Sequence, residues 1–95
     1  MAQQASKVMF SFHAAQRLNQ RFGSRITTEQ DVDISTTFKR VGEPYKHYNG
    51  EMVQTYVPRD SNVRLVMIVA VNSRCVLTVM SEGHVVDAVY RKIAH

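Results

Sequence analysis

Hydrophobic positions near the start of the chain follow a helical period. Three apolar residues recur at every fourth position: Ala14, Leu18 and Phe22. This spacing places them along one face of a helix, where they would form a buried stripe. Ser11 is a suitable N-cap and Gly23 is a suitable stop. The pattern predicts a helix from about Phe12 to Phe22.

A second helix is predicted directly after the first. Thr27 and Gln30 have the spacing of a capping box, and acidic residues occupy the first turn, where the helix dipole favours anions. Ile34 and Phe38 then share a face. These features predict a short helix over Thr28–Thr37, which would form a helical hairpin with the first.

Beyond the predicted hairpin of helices the hydrophobic pattern changes to the two-residue period of strands. Four segments carry this pattern: Tyr45–Tyr48, Glu51–Val57, Val63–Val71 and Arg74–Met80. The first two flank Asn49 and Gly50, which are the strongest short hairpin signal. Val63–Val71 is apolar on both faces, which favours a central strand. The short turns between the segments predict an antiparallel meander of four strands.

The chain closes on another amphipathic segment, and this completes the predicted fold. Ser81 can cap a helix over Glu82–Ile93. The predicted fold class is α+β, with two N-terminal helices, a four-stranded antiparallel sheet (meander) and a C-terminal helix, the helices packing on one face of the sheet. One core is predicted, formed by Ala14, Leu18, Phe22, Leu65, Met67, Val69, Leu77, Val79, Val89 and Ile93.

Length and composition favour one small folded domain. The chain has 95 residues, of which 44% are hydrophobic and 21% are charged. We expect a single domain over residues 1–95, with residues 1–8 flexible. The longest apolar run contains Arg64 and is shorter than the roughly 18 residues that cross a bilayer, so no membrane partner is expected. No signal-peptide pattern is present and Cys75 is the single cysteine, so we expect a cytoplasmic protein without a disulfide.

Positive charge is concentrated at the N-terminal end of the sequence. Twelve lysines and arginines against eight acidic residues give a net charge of +4. The first 28 residues contain no acid and four cations: Lys7, Arg17, Arg21 and Arg25. Most cations are arginine, whose planar guanidinium suits phosphate oxygens. This distribution indicates RNA or another polyanion as a partner, or else an ordinary solubilising surface.

The predicted first helix also carries a line of polar side chains. His13, Arg17 and Arg21 stand four residues apart, so an imidazole lies in line with two guanidinium groups. Such a line can hold a phosphodiester while the histidine moves a proton near neutral pH. An ordinary solvated helix face is the alternative interpretation.

A second candidate group lies beside the predicted hairpin turn. His47 is flanked by Tyr45, Lys46 and Tyr48, which interleave aromatic and basic side chains as a base-stacking surface would. Metal-free RNA cleavage needs a base, an acid and cations, and two histidines with arginines can supply them. Tyrosines are also common in hairpins for structural reasons alone. Since the sequence lacks a cluster of metal ligands and a phosphate-binding glycine loop, we predict no metal and no cofactor.

Several segments together resemble one ribonuclease superfamily. They are Phe10-Ser11-Phe12-His13-Ala14, Arg17, Arg21-Phe22-Gly23, the second helix start at Thr27, and Val76-Leu77-Thr78-Val79. In this order they resemble the small toxin-like domains of the barnase, EndoU, colicin and RelE ribonuclease superfamily, especially the BrnT-like branch, over residues 9–80. The resemblance implies metal-independent cleavage of RNA by a toxin that an antitoxin restrains.

The resemblance also implies roles for individual residues. His13 would be the acid–base group, Arg17 and Arg21 would bind phosphate, and Thr78 would supply a hydroxyl on the last strand. His47 is the candidate second proton carrier. The candidate catalytic residues are thus His13, Arg17, Arg21, His47 and Thr78. The candidate nucleic-acid contacts are Arg17, Arg21, Arg25, Tyr45, Lys46, Tyr48, Arg59 and Arg64.

Three functions from different classes stay open at this point. The first is an endoribonuclease that cleaves RNA by attack of the 2′-hydroxyl, without a metal. The second is a non-catalytic interaction protein on the same fold, such as an inhibitor of a host protein encoded by a phage or mobile element. The third is a nucleic-acid-binding regulator. The partners considered are RNA or another polyanion for the two nucleic-acid functions and an antitoxin or host protein for a toxin or inhibitor. A homodimer is compatible with each of the three functions.

Overall fold

The fold is a six-stranded mixed sheet with one helix on each of its faces. A computed structural model describes residues 7–94 of the chain. The strands are β1 (Lys7–Phe10), β2 (Val32–Asp33), β3 (Phe38–Lys46), β4 (Met52–Pro58), β5 (Val66–Ala70) and β6 (Cys75–Met80). The helices are α1 (Phe12–Phe22), between β1 and β2, and α2 (His84–Ile93), after β6.

The strand order is β2-β1-β6-β5-β4-β3, and it corrects the predicted four-stranded antiparallel meander. Strand β1 runs parallel to β6, whereas the other neighbouring pairs are antiparallel. The prediction missed β1 because residues 1–8 were expected to be flexible. Lys7 and Val8 instead begin this strand, and Val8 is buried; residues 1–6 lie outside the described part of the chain. A four-residue strand carries too short an alternation to stand out in the sequence.

The predicted second helix over Thr28–Thr37 is wrong. The capping-box contact does form, since the Thr27 amide donates to the Gln30 side-chain oxygen at 3.2 Å. The chain nevertheless leaves the turn to pair with β1, where Val32 lies opposite Val8. Pairing with β1 and burial of Ile34 in the core outweigh a marginal ten-residue helix. The two predicted N-terminal helices are therefore one helix and one short strand.

The other predicted elements are present, most with changed bounds, and the largest change is at β3 (Phe38–Lys46), which shares only Tyr45 and Lys46 with the predicted strand Tyr45–Tyr48. Helix α1 is confirmed over Phe12–Phe22. The hairpin around Asn49 and Gly50 is also confirmed as the β3–β4 connection. Helix α2 begins at His84 after an N-cap at Gly83, with no side-chain cap, so Ser81 does not have the predicted capping role. The expected central strand is confirmed, because all residues of β5 are buried and β5 lies inside the sheet.

The sheet is strongly curled, as its connections require. Strands β2 and β3 are its two edges, and a flat sheet would separate them by five spacings, about 24 Å. The five residue steps from Asp33 to Phe38 span at most about 18 Å even when fully extended. This connection is shorter still, because the Phe38 amide donates to the Ile34 carbonyl at 2.8 Å. The two edges therefore approach each other, and the sheet forms a half-barrel.

The two helices pack on opposite faces of this half-barrel, which corrects the prediction that they share a face. The cluster containing α1 is formed by Val8, Phe10, Ala14, Ala15, Leu18, Ile34, Phe38, Leu65, Met67, Val69, Val76 and Val79. The cluster containing α2 is centred on Val53, Val57, Val66, Ile68 and Val86. Leu77, Val89 and Ile93 pack against this second cluster, so the single predicted core is divided by the sheet. Residues of β1 and β3 meet in the first cluster, so α1 occupies the concave face and α2 the convex one.

Candidate functional site

Helix α1 is held in place at its first turn by Ser11. The Ser11 hydroxyl accepts a hydrogen bond from the Ala14 amide at 3.1 Å and donates to the Leu77 carbonyl of β6 at 3.3 Å. The Ser11 amide donates to the Val76 carbonyl at 3.1 Å. These bonds cap the helix and tie its start to the sheet. The side chains that α1 exposes therefore have a fixed position on the fold.

The line of polar residues predicted on the first helix is exposed in the structure. We call His13, Arg17 and Arg21 the α1 stripe; all three are exposed, while Ala14 and Leu18 beside them are buried. Within residues 7–94 no member of the stripe takes part in an ion pair. The sequence of α1 contains no acidic residue. The charges of Arg17 and Arg21 are therefore available to an external anion.

Asn19 sets the position of the segment that follows α1. Its side-chain amide donates to the Ile26 carbonyl at 2.9 Å, and its side-chain oxygen accepts from the Ile26 amide at 2.9 Å and from the Ser24 hydroxyl at 2.8 Å. Arg25 lies between these two anchored residues and is exposed. Asn19 thus holds the charge of Arg25 near the C-terminal end of the stripe. No sequence pattern indicated this role of Asn19, because the hydrogen bonds depend on how the loop folds back.

His47 lies in the turn between β3 and β4 and contacts Tyr48. Their ring centroids are 4.3 Å apart, and Tyr48 is 94% exposed. The Nδ1 atom of His47 is buried and has no hydrogen-bond partner among the described residues. Tyr45 lies opposite Val53 and Lys46 opposite Met52, so these two side chains project to different faces of the sheet. The four residues predicted as one stacking surface therefore provide a pair, His47 and Tyr48, at the turn.

The candidate catalytic residues are not assembled at one place. Thr78 lies opposite Ile68, a member of the convex cluster, so its side chain projects away from the face that carries α1. His47 follows β3, which is three strand spacings from β6, about 14 Å along the sheet. His13 is in the first turn of α1, next to β6. Among these residues the structure brings together His13, Arg17 and Arg21 alone.

Two of the predicted nucleic-acid contacts are already engaged within the protein. The Arg64 guanidinium forms an ion pair with Asp87 of α2 and lies 5.2 Å from the centre of the Tyr90 ring. Arg59 donates from Nε to the Ser35 carbonyl at 2.9 Å. Both side chains are exposed, but these contacts orient them toward the protein's own loops and helix. They are weaker candidates for RNA contacts than the α1 stripe.

Cys75 is a half-buried thiol on the first residue of β6. Burial raises the pKa of this thiol, and the negative charge of Glu51 raises it further, while the Ser11 backbone amide opposes both. A raised thiol pKa disfavours the reactive thiolate form. Residues 7–94 contain no group of three or more histidine, cysteine, aspartate or glutamate side chains placed to hold a metal ion.

A polar cavity that no sequence pattern indicated lies on the concave face, where Arg40 and Arg74 stand beside Gln54 and Tyr56. Arg40 lies directly opposite Tyr56 in the β3–β4 ladder. A turn of only two residues, Asn49 and Gly50, would shift the pairing of β3 with β4 by one residue. The Arg40 side chain would then lie on the convex face, because such a shift moves every side chain of a strand to the opposite face of the sheet. The observed turn has one more residue: the His47 amide bonds to the Glu51 carbonyl, leaving three residues between them.

Comparisons with protein-family models, with curated proteins and with solved structures found no match to this chain. The resemblance to toxin-like ribonucleases therefore has no support beyond the sequence motifs that carry it. Within residues 7–94 no helix is long and apolar enough to cross a membrane.

Proposed function

We propose that this chain binds RNA, with the α1 stripe and Arg25 as the principal contacts to the phosphate backbone. The observation that carries the proposal is the exposure of Arg17 and Arg21 on one helix face, without an ion pair within residues 7–94. The absence of an acidic residue from α1 supports it as well. A phosphate backbone lying along α1 would meet cations on successive turns, since each turn of the helix rises about 5.4 Å.

The proposed interaction has a simple physical basis. Arginine presents several N–H donors in a plane, so it binds phosphate oxygens through charge-assisted hydrogen bonds. Each phosphate that a cation neutralises also releases condensed counterions from the RNA. Neither effect requires a particular base sequence. We therefore expect RNA binding that depends strongly on salt and weakly on sequence.

The proposal is tested by charge-removing substitutions on α1 with a matched control on α2. Fluorescence anisotropy would measure the affinity of a single-stranded RNA for the wild type, for the double variant Arg17→Gln and Arg21→Gln, and for Arg91→Gln and Lys92→Gln. Arg91 and Lys92 are exposed in the last turn of α2, so this control loses the same charge on the opposite face. We expect the α1 variant to lose about tenfold or more in affinity, and the control clearly less. Equal losses in both variants would contradict a specific role of α1.

A second candidate function is metal-independent ribonuclease activity, which the exposure of His13 one turn before Arg17 favours. His13 would act as the general acid or base while the arginines bind the phosphate that is cleaved. The 2′-hydroxyl would attack the phosphorus, the 5′-oxygen would leave, and a 2′,3′-cyclic phosphate would remain. His47 is on another element, so the second proton transfer would fall to a different group or to water.

Ribonuclease activity is tested separately from RNA binding. We expect cleavage that survives a chelator and falls about 10²- to 10⁴-fold in His13→Ala, while the variant still binds RNA. His84→Ala is the matched control, because His84 is also exposed at the first turn of a helix but on the convex side. If bulk RNA stays intact with the wild type between pH 5 and 9, the catalytic proposal is wrong and RNA binding alone stands. Two further predicted partners, an antitoxin and a host protein, need other experiments. Restraint by an antitoxin can be tested only if the chain is an active toxin, and binding to a host protein only with that protein in hand.

A further inference from the structure

A second polar site lies on the concave face of the half-barrel. It is a cavity of about 210 Å³, lined by Val8, Arg40, Pro44, Gln54, Tyr56, Val69, Ala70, Val71 and Arg74. The lining residues come from β1, β3, β4 and β5 and from the turn after β5. None of them belongs to α1, so this cavity is distinct from the α1 stripe. It exists because the curled sheet brings β1 and β3 around the same space.

The charge of this cavity is positive. Arg40 and Arg74 are both exposed, and neither forms an ion pair within residues 7–94. The lining contains no acidic residue. Glu51, whose negative charge acts on the Cys75 thiol next to Arg74, is not among the lining residues. Two guanidinium groups without a carboxylate between them favour an anionic ligand.

The backbone fixes the position of both arginines. Arg40 lies opposite Tyr56 in the β3–β4 ladder, so pairing with β4 holds its backbone in place. Arg74 has φ of 54°, a left-handed conformation that is uncommon for a residue with a side chain. This conformation lets the short turn between β5 and β6 close while the Arg74 side chain lines the cavity.

Gln54 and Tyr56 complete the polar lining. Gln54 is 5% exposed, and its amino group donates to the carbonyls of Val41 and Gly42, both at 3.1 Å. Both partners are acceptors, so the amino group of Gln54 must face them, and this fixes the orientation of the side-chain amide. The side-chain oxygen of Gln54 has no hydrogen-bond partner among the described residues. The Tyr56 hydroxyl likewise forms no hydrogen bond within residues 7–94, and the side chain is half-buried. The cavity thus offers one acceptor and one hydroxyl beside the two cations.

We propose that this cavity binds the phosphate group of a nucleotide together with its sugar. Arg40 and Arg74 hold the phosphate, the Tyr56 hydroxyl donates to one of its oxygens, and the Gln54 oxygen accepts from a sugar hydroxyl. Val8, Val69 and their apolar neighbours form the wall against the sugar carbons. The volume is below the roughly 300 to 1,000 Å³ of sites that enclose a whole drug-sized ligand. It therefore fits a nucleotide end, either of a free mononucleotide or of an RNA strand.

The experiment uses adenosine 5′-monophosphate as the probe and titrates it into the full chain, with chemical shifts recorded by NMR. Arg40→Gln and Arg74→Asn each remove one charge, and asparagine tolerates the left-handed conformation at position 74. Lys39→Gln is the matched control, because Lys39 precedes Arg40 on the same strand and projects to the convex face opposite Val57. We expect each arginine variant to weaken binding about tenfold or more, and Lys39→Gln to change it by less than about twofold.

Thermal unfolding of each variant distinguishes lost binding from lost folding. If Arg74→Asn does not fold, Arg40→Gln decides the question, because it leaves the backbone of the turn intact. Equal affinity in Arg40→Gln and the wild type would overturn the proposal. The proposal is also overturned if the wild type binds neither the mononucleotide nor a phosphate-terminated RNA more tightly than it binds inorganic phosphate.

A second arm identifies the source of the phosphate. RNA oligonucleotides of one sequence with a 5′-phosphate or a 5′-hydroxyl are compared on the wild type and on Arg40→Gln. A preference for the phosphorylated end that disappears in Arg40→Gln identifies an RNA end as the ligand. Equal affinity for both oligonucleotides, together with mononucleotide binding, identifies a free nucleotide. Substitution of Arg17 and Arg21 leaves mononucleotide binding unchanged in either case, so this inference stands or fails independently of RNA binding by α1.

Discussion

The rings of Phe22 and Phe38 stack with their centroids 5.7 Å apart and their planes 25° from parallel. Phe22 is the last residue of α1 and Phe38 is the first residue of β3. The contact therefore joins the C-terminal end of α1 to the edge of the sheet, while Ser11 holds the other end at β6. Both ends of the α1 stripe are fixed by these contacts, so the stripe has one orientation relative to the half-barrel.

Removing the Phe38 ring tests how much this contact stabilises the fold. Phe38 is 3% exposed, so Phe38→Ala leaves a cavity beside α1 and should lower the free energy of unfolding by about 3 to 5 kcal/mol. Urea denaturation would measure the change. Phe12→Ala is the control: this ring is 73% exposed, and its loss should cost within about 0.5 kcal/mol. Similar costs at the two positions would mean that the stacked pair does not hold α1.

The buried amide of Gln54 gives a second stability prediction. Gln54→Met keeps nearly the same shape but removes the donor to the carbonyls of Val41 and Gly42, where the β3–β4 register shifts. Val41 is only half-buried and Gly42 is exposed, so water can reach both carbonyls, and losing their donor should cost about 0.5 to 1.5 kcal/mol. Gln20→Met on the exposed face of α1 is the control and should be nearly neutral. A neutral result for Gln54→Met would show that water replaces the lost donor at the bulge.

The thiol of Cys75 provides a prediction about pH. Burial first, and then the charge of Glu51, raises the pKa of this thiol. The folded state therefore holds the thiol proton more tightly than the unfolded state does, and the associated stability is lost as the pH rises through the folded pKa. Glu51→Gln should lower the pKa of Cys75 and move the pH profile of its alkylation by iodoacetamide to lower pH. A profile that stays in place, or moves to higher pH, would exclude an electrostatic effect of Glu51.

Local patterns predicted the parts of the fold that are themselves local. Helix α1 has an apolar face, a serine cap and a glycine stop within its own sequence, so its ends could be predicted. The same kind of reasoning failed at Thr28–Thr37, because pairing of Val32 with β1 decides that segment. Strand β1 is parallel to β6, more than sixty residues away, and no pattern within β1 itself indicates such a partner.

The candidate site shows the same division between local and distant information. The α1 stripe follows from the four-residue spacing of His13, Arg17 and Arg21, so the sequence was sufficient to find it. The cavity between Arg40 and Arg74 depends on the length of a turn, on the bulge in β3 and on the curl of the whole sheet. These features are set by tertiary packing, and the sequence of each strand does not contain them.

The most direct test of RNA binding by α1 is the salt dependence of RNA affinity. For single-stranded RNA the logarithm of the association constant falls with the logarithm of the salt concentration, with a slope of about −0.7 per neutralised phosphate. If Arg17 and Arg21 each neutralise one phosphate, replacing both with glutamine should make the slope less negative by about 1.4. The Arg91→Gln and Lys92→Gln control should keep the wild-type slope. An unchanged slope in the α1 variant would contradict the account, because it would mean that α1 does not meet the phosphate backbone.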